Sequence, residues 1–249
     1  MTRIFPDKLS MSVAAAQYAA ARIRELLQAK VSVRLVAATG ASQLSFLEQL
    51  TRERSLDWSR VELFHLDEYI GISAEHPASF ARYIRERIIE PLQISRSHLL
   101  DGLRDPQQVI SEANAAIGNA PIDIAFVGIG ENAHLAFNDP PADLETEDPY
   151  IIVELDLVCR RQQVNEGWFP RIDDVPKRAI SMSVRQILKS NEIICVVPGA
   201  QKAAAVRAAL ERPISSEVPA SVLRTHPRAS IFLDQDSASQ LSGTGSIEK

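Results

Sequence analysis

The stretch GIGENAHLAFNDPPAD, residues 128–143, places a histidine, two asparagines and two aspartates directly after an apolar run. His134 has Asn132 two residues before it and Asp139 five residues after it. Polar neighbours of this kind set the tautomer and the proton affinity of an imidazole. The stretch therefore predicts an acid–base centre at His134. The alternative is a histidine that is merely hydrogen-bonded within the core.

Two other interpretations of this stretch are weaker. GIGENA (128–133) fits the loose dinucleotide pattern GxGxx[GA], which requires a helix that opens at its second glycine. The two prolines that follow would break such a helix within about three turns. A metal site is not predicted either, because the histidine and the aspartate have no HExxH motif or cysteine cluster around them.

A second candidate is the acidic pair in LDEYIG, Asp67 and Glu68. Adjacent residues on a strand point to opposite faces, so we expect only one of them to face a given pocket. A carboxylate in a partly apolar cleft has its pKa moved toward neutrality and can transfer protons. The alternative is a pair of solvated acids at the end of a strand.

Two further segments carry groups that suit an anion. TGAS (39–42) turns the chain after a strand, and the amides of Ala41 and Ser42 are predicted to open a helix that runs through Leu50. Lys202 lies one residue inside another helix that is predicted to begin near Ala200. The alternatives are an ordinary turn with Ser42 as the N-cap and a solvated surface lysine. A P-loop is excluded, because GxxxxGK[ST] is absent.

The elements that must position these groups alternate along the chain. Strands are predicted at VSVRLVAA (31–38), VELFHLD (61–67), IDIAFVGIG (122–130), IIVELD (151–156), AISMSV (179–184), NEIICVVPG (191–199) and ASIFLD (229–234). Helices are predicted at 8–29, 42–53, 78–92 and 201–211. Nearly continuous apolar strands between helices predict an α/β fold with a mostly parallel sheet covered on both faces. Ligands bind at the carboxyl ends of such strands, so four polar segments are expected to converge on one pocket.

Composition narrows the class of protein. With 27 basic and 32 acidic residues the net charge is −5, and no basic run suggests nucleic-acid binding. No stretch has the roughly 18 apolar residues of a membrane span. The two cysteines form no CxxC pair, which suits a reducing compartment, and we expect a cytoplasmic protein. One domain is expected over residues 1–236, with a flexible tail at 237–249, and a homo-oligomer is left open.

Taken in order, TGAS, LDEYIG with a following HPASF, GIGENAHLAFNDP and PGAQK resemble the glucosamine-6-phosphate deaminase/isomerase family, a relative of 6-phosphogluconolactonases. The family's loop pattern is GIGxDGHIAFNEP, whereas lactonases continue after the histidine with a Thr-Ala-Ser-Leu-Phe-Pro type of stretch. The resemblance implies a modified Rossmann-like fold and a reaction without a cofactor. In that reaction an amino-sugar phosphate opens, a proton moves from C2 to C1, and ammonia leaves to give fructose 6-phosphate.

The resemblance also implies roles for individual residues. Asp67 would move the C2 proton, His134 would open the ring, and Asp139 would orient the histidine. The predicted catalytic set is Asp67, Asn132, His134 and Asp139, and the predicted substrate- and phosphate-binding set is Thr39, Gly40, Ala41, Ser42, Glu68 and Lys202. The expected partner is a small sugar phosphate, with no metal, cofactor, nucleic acid or membrane.

The chain departs from the family pattern at positions that matter for the predicted chemistry. Asn132 and Ala133 replace an aspartate and a glycine, and Asp139 replaces a glutamate. Counting back from Val175-Pro176 puts Glu166 where the family has a phosphate-binding arginine, which Arg160, Arg161 or Arg171 could replace. Besides a deaminase, the sequence therefore leaves open a lactonase or other sugar-phosphate isomerase, and a sensor that binds sugar phosphate without turnover.

Overall fold

The computed structural model describes residues 1–243. Its strands are β1 (Thr2–Phe5), β2 (Val33–Ala37), β3 (Val61–His65), β4 (Asp67–Tyr69), β5 (Arg96–His98), β6 (Ile124–Val127), β7 (Tyr150–Glu154), β8 (Arg178–Met182), β9 (Glu192–Val197) and β10 (Ala229–Asp234). Its α-helices are α1 (Lys8–Ala29), α2 (Leu44–Leu50), α3 (Phe80–Ile84), α4 (Glu90–Leu92), α5 (Pro106–Ile117), α6 (Leu157–Asn165), α7 (Val184–Leu188) and α8 (Ala203–Glu211). A π-helical turn, Arg85–Ile89, joins α3 to α4.

Seven strands form one parallel sheet in the order β1-β10-β9-β6-β2-β3-β5. Every residue of β2, β6, β9 and β10 is buried, as expected for central strands that are covered on both faces. Helix α1 packs a row of small side chains against one face, while α5 and α8 contribute to the core on the other. The predicted α/β fold with a mostly parallel sheet is confirmed.

One predicted strand is divided between two sheets. VELFHLD was expected to be continuous, but β3 ends at His65 and Asp67 begins β4. Strands β4, β8 and β7 form a separate antiparallel sheet, in which Asp67 pairs with Ser181. The expected strands IIVELD and AISMSV therefore belong to this small sheet. The change of sheet at Leu66 carries Asp67 past the carboxyl edge of the large sheet, where ligands bind.

The expected tail lies partly outside the described residues, which end before 244. Within the described part, Ser237 is buried and its amide donates to the Asp234 carboxylate over 2.8 Å. The hydroxyl of Ser242 donates to Glu211 over 2.9 Å. Among residues 1–243 no helix is both long enough and apolar enough to cross a lipid bilayer.

Candidate active site

A cleft of about 490 Å³, counted with its opening to solvent, lies at the carboxyl edge of the parallel sheet. The segments after β2, β3, β6 and β9 form its walls, and α6 closes one side. The predicted residues that line it are Thr39, Gly40, Ser42, Asp67, His134 and Lys202. The four strand ends therefore converge on one cleft, as expected for the carboxyl ends of parallel strands.

Asp67 is a buried carboxylate in the wall of this cleft. It is 5% exposed, and no side-chain hydrogen bond from another described residue reaches its carboxylate. Burial raises the pKa of Asp67 to about 8, and the charge of Glu68 adds to the effect. A carboxylate with so high a pKa is a strong base once it is ionised, and it holds a proton readily when it is not.

Glu68, which was predicted to bind substrate, does not line the cleft. Its carboxylate accepts hydrogen bonds from the hydroxyl of Ser79 (2.8 Å) and from the amides of Tyr69 (2.9 Å), Phe80 (3.3 Å) and Ala81 (2.7 Å). It thus ties the start of α3 to β4. The four donors favour the ionised form and lower the pKa of Glu68. Burial has the larger effect and raises this pKa to about 7. Its role in this geometry is to hold the backbone beside Asp67 and to place a negative charge near it.

His134 lies in the cleft, and one nitrogen of its ring contacts a buried carboxylate. Its Nδ1 lies 2.9 Å from Oδ1 of Asp139. Burial raises the pKa of Asp139, but the hydrogen bonds from His134, Asn132 and the Asp156 amide outweigh burial and lower it overall. Because an ionised carboxylate only accepts, Nδ1 carries the hydrogen and the neutral ring presents Nε2 as an acceptor. Asp139 therefore fixes the tautomer that an acid–base histidine needs.

Asn132 joins two carboxylates behind the histidine. Its Nδ2 donates to Asp139 over 2.9 Å and to Asp156 over 3.0 Å, while its Oδ1 accepts from the amide of His134 over 3.1 Å. The amide of Asp156 in turn donates to Asp139 over 2.9 Å. An aspartate at position 132 would put three carboxylates together and remove the side-chain donor that joins two of them. The asparagine thus stabilises the ionised form of Asp139.

The backbone of this loop is specialised at two positions. Ala133 has φ 66°, in the left-handed region that favours glycine. Gly130 lies against the imidazole of His134, and a Cβ at position 130 would collide with that ring. The first feature costs stability, while the absence of a side chain at Gly130 leaves room for the imidazole.

The segment after β2 does not open the helix that was predicted there. Residues 41–43 form a turn, and α2 begins only at Leu44 with Gln43 as its N-cap and no side-chain cap. Gly40 has φ 94°, which allows the turn, and the buried Oγ1 of Thr39 has no hydrogen-bond partner among the described residues. The polar groups that this turn offers to the cleft are hydroxyls and loop amides rather than the amino end of a long helix.

Lys202 supplies a positive charge at the same end of the cleft. It closes the short 3₁₀ turn Ala200–Lys202 that precedes α8, and it is only 2% exposed. Burial lowers the pKa of Lys202, whereas the charges of Glu166 and Glu131 raise it. None of the ion pairs found within residues 1–243 involves its ammonium group. A buried lysine without a partner in the wall of a cleft is typical of an anion site.

Helix α6 brings residues that the sequence analysis did not assign to the site. Gln162, Gln163 and Glu166 all line the cleft. Gln162 donates to Glu166 over 2.7 Å, the i to i+4 spacing of one helical face. The side-chain oxygen of Gln163 accepts from the hydroxyl of Tyr69 over 2.7 Å. The QQxxE spacing was visible in the sequence, but the stretch lacks an apolar period that would mark it as a helix.

The arginines that were considered as phosphate ligands lie elsewhere. Arg160 donates to the carbonyl oxygens of Ile172 and Val175, and Arg171 pairs with Asp174 at the surface. Arg161 is likewise not part of the wall. Of the described residues that line the cleft, Lys202 is the one lysine or arginine.

One group of side chains has the spacing of metal ligands. Donor atoms of His134, Asp139 and Cys159 lie within 4.8 Å of one another. Burial raises the pKa of the Cys159 thiol well above its ordinary value, and the carboxylates of Asp139 and Asp156 raise it further. The thiolate that a metal would need is therefore disfavoured, and the group fits an oriented acid–base histidine better than a metal site.

Fold and cleft together define an α/β protein with a carboxylate and an oriented histidine at the carboxyl edge of a parallel sheet. The model of the family described as glucosamine-6-phosphate isomerases/6-phosphogluconolactonase matches residues 6–232. The chain belongs to this family.

Individual relatives agree with this assignment. The glucosamine-6-phosphate deaminase of Streptococcus agalactiae serotype III (strain NEM316) is 35% identical over 207 residues, which are 82% of this chain and 86% of the relative. The solved structure of a monomeric glucosamine-6-phosphate deaminase superposes with a TM-score of 0.87 at 31% identity and covers 96% of this chain and 98% of its own. A 6-phosphogluconolactonase from Trypanosoma brucei has a TM-score of 0.81 at 14% identity, over 97% and 98% of the two chains, and shares the fold.

Proposed function

We propose that the protein converts an amino-sugar 6-phosphate, first of all glucosamine 6-phosphate, into the ketose phosphate and ammonia. The observation that carries the proposal is one cleft that holds a buried carboxylate without a partner, an imidazole of fixed tautomer and a buried cation. These are a base, a proton shuttle and an anion ligand. The glucosamine-6-phosphate deaminases among the relatives, at up to 35% identity, support the same reaction.

His134 opens the sugar ring. The reaction on C2 requires the open-chain aldehyde, so a proton must leave the anomeric hydroxyl and one must reach the ring oxygen. Neutral Nε2 of His134 takes the first proton and returns it to the ring oxygen as the C1–O5 bond breaks. Asp139 stabilises the imidazolium that forms between the two transfers, because its carboxylate lies 2.9 Å from Nδ1.

Asp67 then moves a proton between carbons. Its carboxylate removes the proton from C2, and the electron pair of that C–H bond forms the C1=C2 bond. The electron pair of the C1=O bond moves to O1, which takes a proton from the substrate's own ammonium group and gives a neutral enolamine. Return of the proton to C1 leaves an iminium at C2. Water adds to this carbon and ammonia leaves, which gives the ketose. The raised pKa of Asp67 suits both halves of this transfer, because the same group must accept the proton and give it back.

The experiment that tests this proposal is ammonia release from glucosamine 6-phosphate, with the sugar product identified by NMR. We expect fructose 6-phosphate and ammonia in equal amounts. Galactosamine 6-phosphate and 6-phosphogluconolactone in parallel assays report on the epimer and on lactone hydrolysis. Lactone hydrolysis well above background without ammonia release would overturn the proposal, as would binding of all three ligands without turnover.

The wider setting of the reaction stays a prediction. We propose a small-molecule sugar phosphate as the partner, in line with the family match. A cytoplasmic location is the expectation from the sequence, which cell fractionation would test. A homo-oligomer was left open, and size-exclusion chromatography with light scattering would decide it.

A further inference from the structure

The anion end of the cleft contains a negative charge as well as a positive one. Glu166 lines the same cleft as Lys202, and its charge acts on the Lys202 ammonium. Oε2 of Glu166 lies 3.4 Å from the amide nitrogen of Ala41, the donor in the turn after β2. The carboxylate therefore stands where loop amides and an ammonium group would meet the anionic end of a substrate.

This carboxylate is held in place by three donors. Gln162 donates to Oε1 over 2.7 Å, while the indole of Trp168 (3.1 Å) and the Ala41 amide donate to Oε2. Gln162 is fixed in turn, because its side-chain oxygen accepts from the amide of Glu131 over 3.0 Å. A side chain with this many partners has little freedom to leave the cleft when a ligand enters.

The lysine and the glutamate at this end carry charges of opposite sign. Lys202 is the one lysine or arginine in the described wall of the cleft, and the charge of Glu166 acts on it. A phosphate dianion at this end would meet one favourable and one unfavourable charge at close range. A hydroxyl, which donates to a carboxylate and accepts from an ammonium group, would meet two favourable partners.

We propose that Glu166 is an internal anion that competes with the phosphate of the substrate for Lys202 and the Ala41 amide, and so determines the selectivity of the cleft. The consequence is weak discrimination between phosphorylated and unphosphorylated sugars. This inference rests on the proposed function, since it assigns the anion end to the phosphate of an amino sugar. Glu166 is a specificity-determining residue and takes no part in the proton transfers.

The test is calorimetric binding of inorganic phosphate, fructose 6-phosphate and fructose to the wild type and to Glu166→Gln. The amide keeps the shape and the acceptor that Gln162 contacts, and it removes the charge. We expect both phosphate ligands to bind at least ~10-fold more tightly to Glu166→Gln, with the affinity for fructose unchanged. The matched control is Glu48→Gln, on an exposed residue of α2 outside the cleft, for which no affinity should change.

Two results would overturn the proposal. One is phosphate affinity that is unchanged or weaker in a folded Glu166→Gln protein, and the other is an equal gain for fructose. Glu166→Ala provides a second variant if the amide misfolds. Because binding is measured without turnover, a protein that fails to deaminate still answers this question. If it does deaminate, Glu166→Gln should lower KM for glucosamine 6-phosphate.

Discussion

The charged side chains at the two ends of the cleft have different surroundings. At the chemical end each charged group has a defined environment, since Asp139 accepts from His134, Asn132 and Asp156, and Asp67 stands alone in a buried wall. At the anion end, Lys202 and Glu166 oppose each other in the same space. The comparison supports the proposed division of the cleft, in which one end transfers protons and the other end selects the sugar.

The largest effect should come from the histidine. His134→Gln removes the group that exchanges protons with the ring oxygen, so kcat should fall roughly 10²–10⁴-fold. The affinity for fructose 6-phosphate should stay within about twofold, because the anion end is intact. Steady-state kinetics and calorimetry measure the two quantities. His226→Gln is the control, as that imidazole bonds the Ser190 carbonyl oxygen at 2.8 Å, outside the cleft. A normal kcat for His134→Gln would contradict the assignment of proton transfer to this end of the cleft.

Replacing the lysine should weaken substrate binding and change turnover little, the reverse of replacing the histidine. Lys202→Met keeps the buried stem and removes the charge, so KM for glucosamine 6-phosphate should rise roughly 10–100-fold while kcat changes little. Lys189→Met, on an exposed lysine that pairs with Glu147, is the matched control. A loss confined to kcat would show that Lys202 acts on the chemistry and not on the anion.

Replacing Asp67 and replacing Asp139 should change the free energy of unfolding in opposite directions. Asp67 has a folded pKa above its ordinary value of 3.8, so its ionisation destabilises the folded state increasingly as the pH rises from about 4 to 8. Asp139 has a folded pKa below its ordinary value of 3.8, so its ionised form stabilises the folded state at pH values above 3.8. This stabilisation is lost as the pH falls through the folded pKa. At pH 7, Asp67→Asn should raise the free energy of unfolding by ~1–3 kcal/mol, and Asp139→Asn should lower it by a similar amount. Urea unfolding measures both. Shifts of the same sign would contradict this account of the chemical end.

The smallest effect concerns the backbone behind the histidine. Ala133 has φ 66°, and glycine adopts this conformation without the steric cost. Ala133→Gly should stabilise the protein by about 1 kcal/mol and leave kcat unchanged. Ala205→Gly, inside α8, is the control and should destabilise by a similar amount. A fall in kcat for Ala133→Gly would mean that the alanine itself positions His134.

The same two regions differ in how much the sequence could predict. Asn132, His134 and Asp139 lie within eight residues, so a local motif was enough to group them. Glu166 reaches the Ala41 amide from 125 residues away, through a helix whose buried face is polar (Arg160, Gln162, Gln163). Without an apolar period that helix was not predicted, and the contact depends on tertiary packing.

The errors in the fold have similar causes. VELFHLD contains no glycine or proline, so nothing in it marks the change of sheet after His65. Helix α2 begins three residues later than expected, at Leu44 instead of Ala41, because the turn at Gly40 continues through Gln43. Both differences depend on how the chain packs at the edge of the sheet. The mostly parallel arrangement of the sheet was predictable, because strands that are buried on both faces are apolar along nearly their whole length.

The central claim is that Asp67 performs the carbon proton transfer, and the pH dependence of ammonia release from glucosamine 6-phosphate tests it most directly. The base must be ionised, so kcat/KM of the wild type should rise about tenfold per pH unit and level off above about pH 8. Asp67→Asn should release ammonia roughly 10²–10⁴-fold more slowly across the whole range. An Asp67→Asn protein that keeps the rate and the pH profile of the wild type would contradict the account.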